Sequence, residues 1–112
     1  MEIDKEILKG HIDTILLALL HHKPMYGYEL AKTAREKSKG KFELKEGTLY
    51  LALKRLEKNQ MVESYWGDDE SEGGRRKYYR ILPAGSERYD QKKTEWDFVK
   101  GIMDTFFGRG ES

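Results

Sequence analysis

The sequence contains no cysteine, only two prolines and no long hydrophobic run. Without thiols the chain can form no disulfide and can use no thiolate as a nucleophile or metal ligand. The longest apolar run, Ile15–Leu20, falls far short of the roughly 20 residues that a membrane-spanning helix needs. The first ten residues carry charges, so we expect no signal peptide. These absences predict a cytoplasmic protein without a membrane partner.

The composition indicates one folded domain that is not an enzyme. A length of 112 residues suits a single domain, and two Trp, seven Tyr and four Phe argue against disorder. The three histidines are not spaced four residues apart, so no helix offers a pair of zinc ligands. No nucleophile accompanies a base, and there is no glycine-rich phosphate loop. We therefore expect no metal, no cofactor and no catalytic residue.

Apolar residues at helical spacing predict four helices. The first carries apolar side chains at i, i+3, i+4, i+7 and i+8 from Ile12, and Pro24 ends it. Glycines after Phe107 end the last one. The predicted helices are Lys5–His22, Tyr26–Lys37, Glu46–Asn59 and Pro83 to about Phe107.

Three segments are typical of strands. Phe42–Leu44 alternates and predicts a very short strand between the second and third helices. Val62–Trp66 and Arg75–Ile81 predict the arms of a β-hairpin, joined by the acidic, turn-rich loop Gly67–Gly74. The predicted fold class is mainly α with a small β-hairpin, a winged helix-turn-helix followed by a long C-terminal dimerisation helix.

The last helix carries side chains spaced alternately three and four residues apart, which is the repeat of a helix seam. One of the six seam positions is Lys92, and the other five are apolar. So short a chain has few surfaces left to cover such a stripe, so we expect a second copy to cover it. The predicted dimer-interface residues are Tyr89, Trp96, Val99, Met103 and Phe106.

Positive charge is concentrated in the middle of the chain. The segment Lys32–Lys58 holds nine Lys or Arg against four acids, an excess of five, whereas the whole chain has a net charge of +1. A basic segment between acidic flanks fits a phosphate-binding surface, and it also fits an ordinary solvated helix face. Two short helices can place the second one across the DNA major groove, and a basic hairpin can contact neighbouring phosphates.

Three motifs resemble those of a single family. They read YGYEL at 26–30, EGTLY at 46–50 with Leu53 and Arg55–Glu57 after it, and GGRRKYYR at 73–80. In this order they resemble PadR-type winged-helix repressors over about residues 5–107. The resemblance implies a homodimer on double-stranded DNA, with the third helix in the major groove and the hairpin as the wing. The short length and Trp96 resemble the multidrug-sensing subgroup, in which paired tryptophans sandwich a flat aromatic ligand.

The sequence departs from the family pattern at several positions. Lys45 stands where the family usually has a capping Ser or Asn, and Leu82 replaces a capping Thr. Gln60 replaces the usual glycine, which leaves Asn59 or Gln60 to adopt a left-handed turn. Lysines stand around the expected pocket where the drug-binding relatives have small, aromatic and acidic residues; they are Lys92, Lys93 and Lys100.

The candidate DNA contacts come from the third helix and the wing. The alternative to DNA contact is an ordinary surface role for these residues. In that case Tyr50 packs partly against the second helix, and the wing cations protect an exposed strand edge from aggregation. The candidate residues are Lys45, Thr48, Tyr50, Lys54, Arg55, Arg75, Arg76 and Lys77.

The candidate effector site lies where the first and last helices of the dimer meet. A planar aromatic ligand would stack on Trp96, although an aromatic at a seam position also serves simply as dimer core. The candidate lining residues are Ile7, Thr14, Ala18, Trp96 and Lys100.

Two functions of different classes follow. The first is a homodimeric repressor of an inverted-repeat operator, relieved by a small aromatic effector. The second is a winged-helix protein-interaction module without DNA binding, against which the basic third helix and wing count. We expect residues 1–82 to form the DNA-binding domain, 83–108 the dimerisation helix and 109–112 a flexible tail.

Overall fold

Four helices and a three-stranded antiparallel sheet make up the part of the chain that the computed structural model describes, namely Ile7 and residues 10–71 and 74–109. This architecture confirms the predicted fold class. In chain order the elements are α1 (Ile12–His22), β1 (Met25–Tyr26), α2 (Gly27–Lys37), α3 (Glu46–Lys58), β2 (Val62–Ser71), β3 (Gly74–Ile81) and α4 (Pro83–Phe107).

The core is formed by α1, α2, α3 and the inner face of the sheet. Helix α1 buries the apolar face that its spacing predicts, including Leu16 and Leu20. The backbone becomes extended at Lys23, directly before Pro24. The predicted start of this helix at Lys5 lies outside the described residues. The largest fully buried side chains are Leu16, Leu17, Leu20, Leu30, Leu49, Leu53, Leu56 and Val62.

The sheet has the order β1-β3-β2, and its first strand is not the predicted one. Met25 and Tyr26 pair with Tyr79 and Tyr78, so Tyr26 ends a strand and stands directly before α2, without a side-chain capping hydrogen bond, rather than beginning that helix. The strand predicted at Phe42–Leu44 is wrong. The Phe42 backbone N–H donates to Ser38 Oγ at 3.0 Å and its carbonyl accepts from the same hydroxyl at 3.2 Å, which closes a local loop.

The hairpin is longer than its sequence predicts. Strand β2 continues to Ser71, with an irregularity between Trp66 and Glu70, and β3 begins at Gly74. The loop predicted at Gly67–Gly74 is therefore wrong over most of its length. Backbone N–H and carbonyl groups pair regardless of side-chain charge, so an acidic, turn-rich composition did not end the strand.

Helix ends depend on backbone geometry where capping side chains are missing. Neither Lys45 before α3 nor Leu82 before α4 makes a side-chain cap, as their types predict. After α3 the left-handed residue is Gln60, with φ of 59°. Its N–H donates to the Glu57 carbonyl, and the next N–H donates to the Leu56 carbonyl. Helix α4 ends at Gly108, with φ of 75°.

The first turns of helix α4 pack on the core. Gly85 lies against the backbone of Met61, whose carbonyl also accepts a hydrogen bond from the Leu82 N–H at 2.9 Å. The molecule extends 56 Å along its longest axis and has a radius of gyration of 16.1 Å, against about 13 Å for a compact domain of this length. A large part of α4 therefore lies away from the core.

Candidate nucleic-acid interface

Helix α3 presents one exposed face opposite its buried one. Leu49, Ala52, Leu53 and Leu56 face the core. The exposed face runs from Gly47 through Leu51 and Lys54 to Lys58, and Thr48 is exposed beside it. Two of the predicted DNA contacts, Thr48 and Lys54, thus lie at the surface, and Lys45 is exposed just before the helix. Sequence reasoning did not select Leu51, although its position on the outward face follows from helical spacing.

Tyr50 packs against the beginning of α2. A Cβ placed on Gly27 would lie 2.7 Å from Tyr50 Cζ and closer still to its hydroxyl oxygen, so the ring covers this glycine directly. The predicted alternative, in which Tyr50 packs partly against the second helix, is confirmed. The side chain is still 44% exposed, which leaves one edge in solvent.

Arg55 pairs with α1. Its Nε donates to Asp13 Oδ2 at 3.1 Å and a terminal nitrogen donates to Oδ1, a two-pronged ion pair between residues 42 apart in sequence. This hydrogen bonding raises the pKa of Arg55 above its ordinary value. Arg55 is thus engaged within the chain, and Asp13 is a partner that sequence reasoning missed.

The wing cations are held by contacts within the chain. Arg75 Nε donates to the Gly67 carbonyl at 3.2 Å. The Arg76 guanidinium lies 4.7 Å from the ring centroid of Tyr26, and Lys77 Nζ lies 5.9 Å from that of Tyr79. A cation within about 6 Å of an aromatic ring is attracted to the face of that ring. Each of these three wing cations therefore has a contact within the chain.

A row of tyrosines crosses the outer face of the sheet. Tyr78 packs edge-on to Tyr26 at 5.4 Å and stacks on Tyr65 at 5.7 Å between ring centroids. Tyr28, at the start of α2, extends the row from Tyr26 at 6.4 Å. Arg80 covers the far end, 5.1 Å from the Tyr65 centroid. This row joins β1 to both arms of the wing and supports Arg76.

Tyr79 faces the opposite way, into the core. Burial raises the pKa of its hydroxyl above the ordinary 10.0, and the nearby Glu57 and Tyr50 act in the same direction. Next to it, Ser64 Oγ donates to Glu57 Oε2 at 2.7 Å and so ties β2 to α3. The inner face of the sheet thus fixes the wing relative to α3.

Helix α4 forms a second surface, which is apolar. Tyr89 is half-buried, with its ring 4.8 Å from His21, and Trp96 meets His11 edge-on at 5.7 Å. The rest of the predicted seam is exposed in the single chain. Three further exposed apolar residues widen it beyond the prediction. The exposed apolar side chains are Trp96, Phe98, Val99, Ile102, Met103, Phe106 and Phe107.

The predicted effector-site residues differ in their surroundings within the single chain. Ala18 lines a groove of about 280 Å³ between α1 and α2, whose lining among the described residues does not include Trp96. Ile7 and Lys100 are exposed and Thr14 is half-buried. Of the three lysines expected at the pocket, Lys92 and Lys93 have acidic neighbours on α4, Glu95 at 3.4 Å and Asp90 at 3.6 Å.

The residues that the structure describes contain neither a metal site nor a membrane-spanning helix. Among the residues that the structure describes, no three His, Asp or Glu side chains come together as ligands for a metal ion. No described helix has the length and apolar character needed to cross a membrane.

Known proteins share both the sequence and the fold of this chain. The sequence model of the "Transcriptional regulator PadR-like family" matches residues 16–91. An uncharacterised protein of Lysinibacillus sphaericus is 41% identical over 104 residues, which cover 93% of this chain and 94% of that protein.

Solved structures of transcriptional regulators are also similar to this chain in sequence and in fold. A transcriptional regulator from Clostridium thermocellum is 42% identical, with a TM-score of 0.84 over 94% of this chain and 98% of that one. A PadR family transcription regulator from Clostridium difficile is 45% identical, with a TM-score of 0.77 over 87% of this chain and 98% of that one. The interpretation as a regulator rather than an enzyme is confirmed, since PadR members are transcription regulators. The chain belongs to the PadR-like family of DNA-binding transcriptional regulators.

Proposed function

We propose that this regulator is a homodimeric repressor whose two α3 helices enter the major groove of an inverted-repeat operator while the wings contact flanking phosphates. One observation carries the proposal. Tyr50 of α3 covers Gly27, and the neighbouring Tyr26 holds Arg76 of the wing. These two contacts connect α3 to the wing, which supports treating the exposed Lys54 of α3 and Arg76 of the wing as parts of one surface that binds a phosphate backbone.

Different side chains on this surface have different roles. Thr48 and Tyr50, near the start of α3, would make base or sugar contacts. Lys54, with Lys45 and the wing residues Arg75, Arg76 and Lys77, would neutralise phosphates. Arg55 would reach a phosphate only by exchanging its ion pair with Asp13, so the proposal does not depend on it.

Dimerisation supplies the operator symmetry. The apolar residues exposed along α4, including Val99, Met103 and Phe106, form a stripe that a second copy related by a two-fold axis can cover. We assign residues 83–108 to this dimer interface and residues 1–82 to DNA binding. The two α3 helices would then read half-sites about 34 Å apart, one helical turn of DNA.

Salt dependence tests the DNA surface. Fluorescence anisotropy with the DNA upstream of its own gene should show specific binding that weakens as salt rises. Lys54→Ala and Arg76→Ala should each weaken it and reduce the log–log salt slope by roughly 0.9 for each phosphate that is no longer neutralised. Lys93→Ala, which removes the same charge from α4, is the matched control and should change neither quantity. Unchanged affinity and slope in both test variants would contradict the proposed face, and binding to no DNA would favour the protein-interaction module.

We further propose that a planar aromatic effector relieves repression by stacking between Trp96 and its symmetry mate, as in the multidrug-sensing subgroup. The exposed indole of Trp96 supports this, since two such rings can flank a flat ligand at centroid distances of about 4.5–7 Å. Lys100 would repel cations, so neutral or anionic aromatics should be preferred. Titration should quench indole fluorescence in the parent and not in Trp96→Ala, in which Trp66 still reports. Quenching that survives this substitution, or a preference for cations, would contradict the site.

A further inference from the structure

The outward face of α3 has an apolar residue at its centre. Leu51 is 68% exposed, although the other leucines of this helix are among the most buried side chains of the chain. It lies one turn after Gly47 and one turn before Lys54, with Lys58 two turns on, so helical spacing sets all four on one face. Leu51 therefore does not contribute to the core, and in the free chain it exposes its apolar surface to water.

The surroundings of Leu51 specify what kind of molecule can cover it. Lys54 and Lys58 follow it on the same exposed face, so the covering surface must tolerate cations and is best negatively charged. A phosphate backbone meets that requirement, and the adjoining wing cations extend it. The apolar group that the DNA major groove offers is the C5 methyl of thymine, whereas the other base edges present hydrogen-bonding groups.

We propose that Leu51 determines operator specificity by contacting the C5 methyl group of a thymine in each half-site. The inference rests on the proposed function, because it requires α3 to lie in the major groove, and it deepens that function by naming a base feature that is read. Leu51 is the sixth residue of α3, in the half of the helix that contacts base edges when the N-terminal end leads into the groove.

Gly47 makes this approach geometrically feasible. A Cβ added at Gly47 would find no atom of the chain within 4 Å, so internal packing does not require a glycine there. Its missing side chain leaves the helix backbone bare on the same face, one turn before Leu51. A bare backbone lets the helix approach the groove wall closely, and a short side chain such as leucine then reaches the base edges.

The test removes the methyl group from the DNA rather than from the protein. Duplexes enriched from a random-sequence library by the wild-type protein are resynthesised with deoxyuridine, which lacks the C5 methyl, replacing thymine symmetrically at one position of each half-site at a time. At one position the wild type should bind about four-fold more weakly per half-site, or about fifteen-fold for both, which corresponds to one methyl-sized group no longer buried.

Three variants assign that effect to a side chain. Leu51→Ala should bind the thymine and deoxyuridine duplexes equally at that position, whereas Leu51→Met, which keeps an apolar tip, should still distinguish them. Lys54→Ala should bind both duplexes more weakly and retain the ratio between them. Because Leu51 is exposed, the midpoint of denaturant unfolding of Leu51→Ala should equal that of the wild type.

The outcomes separate this inference from the function on which it rests. Specific binding with no position sensitive to deoxyuridine would overturn the Leu51 contact and leave the proposed repressor intact. Undiminished discrimination by Leu51→Ala would do the same. Failure of the wild type to enrich any sequence would overturn both, whereas loss of discrimination confined to Leu51→Ala establishes the contact.

Discussion

The helical core and the far half of α4 use the same kinds of residue in opposite ways. In the core, leucines of α1, α2 and α3 are almost completely removed from solvent by one another. Along α4, the seven exposed apolar side chains are between 42% and 82% accessible, although their helix is just as regular. Helical periodicity thus predicts which face is apolar but does not say whether the same chain covers it. The first region is complete in one chain, whereas the second stays exposed in one chain and is the surface that we propose a second copy covers.

The strongest test of this contrast is a charge placed on the α4 surface. Val99→Asp should leave the protomer folded, because Val99 is about half exposed there, but it should bury an unpaired carboxylate in the dimer. A symmetric dimer would bury two such carboxylates, and a cost of about 3 kcal/mol for each corresponds to a rise in the dimer dissociation constant on the order of 10⁴-fold. Sedimentation at micromolar concentration should then give the 13.2 kDa monomer. Thr94→Asp, on another face of α4, is the control, and a Val99→Asp dimer as tight as the parent would contradict the contrast.

The complementary test removes side-chain volume from the core. Leu53→Ala should lower the free energy of unfolding by roughly 2–5 kcal/mol, because Leu53 is completely buried and its removal leaves a cavity. Leu51→Ala makes the same chemical change two residues away on the exposed face and should alter stability by less than about 0.5 kcal/mol. Urea unfolding of both variants at one protein concentration measures the difference. Equal losses would mean that the two faces of α3 are not distinguished as described.

A smaller effect tests the close contact between α2 and α3. Gly27→Ala should destabilise the protein by about 1 kcal/mol, less than overpacking in a closed core costs, because its methyl group would displace the partly exposed Tyr50 ring. Combining it with Tyr50→Ala should give less than the sum of the two single losses, since Tyr50→Ala removes the ring that the added methyl group would overlap. Gly47→Ala is the control, with open space around the added methyl and a gain in helix propensity of up to about 1 kcal/mol. Additive losses in a double-mutant cycle would contradict this contact.

The end of α3 should tolerate a stabilising change. Gln60→Gly should raise the free energy of unfolding by about 0.5–1 kcal/mol, because Gln60 is in the left-handed region that favours glycine. Asn59→Gly should instead lower stability. Asn59 has φ of −88°, which needs no glycine, so the substitution only increases the conformational entropy of the unfolded chain. Thermal melting of the two variants compares them directly. The reverse order would mean that the left-handed residue is misassigned.

The smallest expected effect concerns alkaline pH. Burial raises the pKa of Tyr79 above 10.0, so the unfolded chain loses this proton at lower pH than the folded one. The folded state therefore binds more protons in this range, and its stability should fall as pH rises above about 10. Tyr79→Phe should reduce that fall between about pH 9 and pH 11 in urea titrations. Tyr28→Phe, at an exposed position, is the control, and identical slopes in parent and Tyr79→Phe would contradict the shift.

Local patterns predicted most of the fold. The buried face of α1, the helix at Glu46–Lys58 and the end of α4 after Phe107 all follow from apolar spacing and glycine placement within a few residues. The motifs around Tyr26, Thr48 and Arg76 predicted the family, because several short matches in fixed order are far more specific than any one of them.

Features that depend on distant partners could not be predicted in this way. The two residues of β1 are a strand only because Tyr78 and Tyr79 lie beside them, more than fifty residues later. The Asp13–Arg55 pair likewise joins two helices through positions that look like ordinary surface charges in the sequence. A strict seam repeat also missed Phe98 and Ile102, because the apolar surface of α4 is wider than one stripe.

Helix α1 touches both proposed surfaces, that of α3 and that of α4, and this contact has a thermodynamic consequence. It holds α3 through Asp13 and Arg55, and it meets α4 through His21 and Tyr89. A ligand that shifted α1 against α4 would also disturb the placement of α3, and a coupling free energy between two sites acts equally in both directions. DNA would then weaken the binding of such a ligand by the same factor by which the ligand weakens the binding of DNA. An affinity measured on the free protein would therefore exceed the affinity of the operator-bound protein for the same ligand.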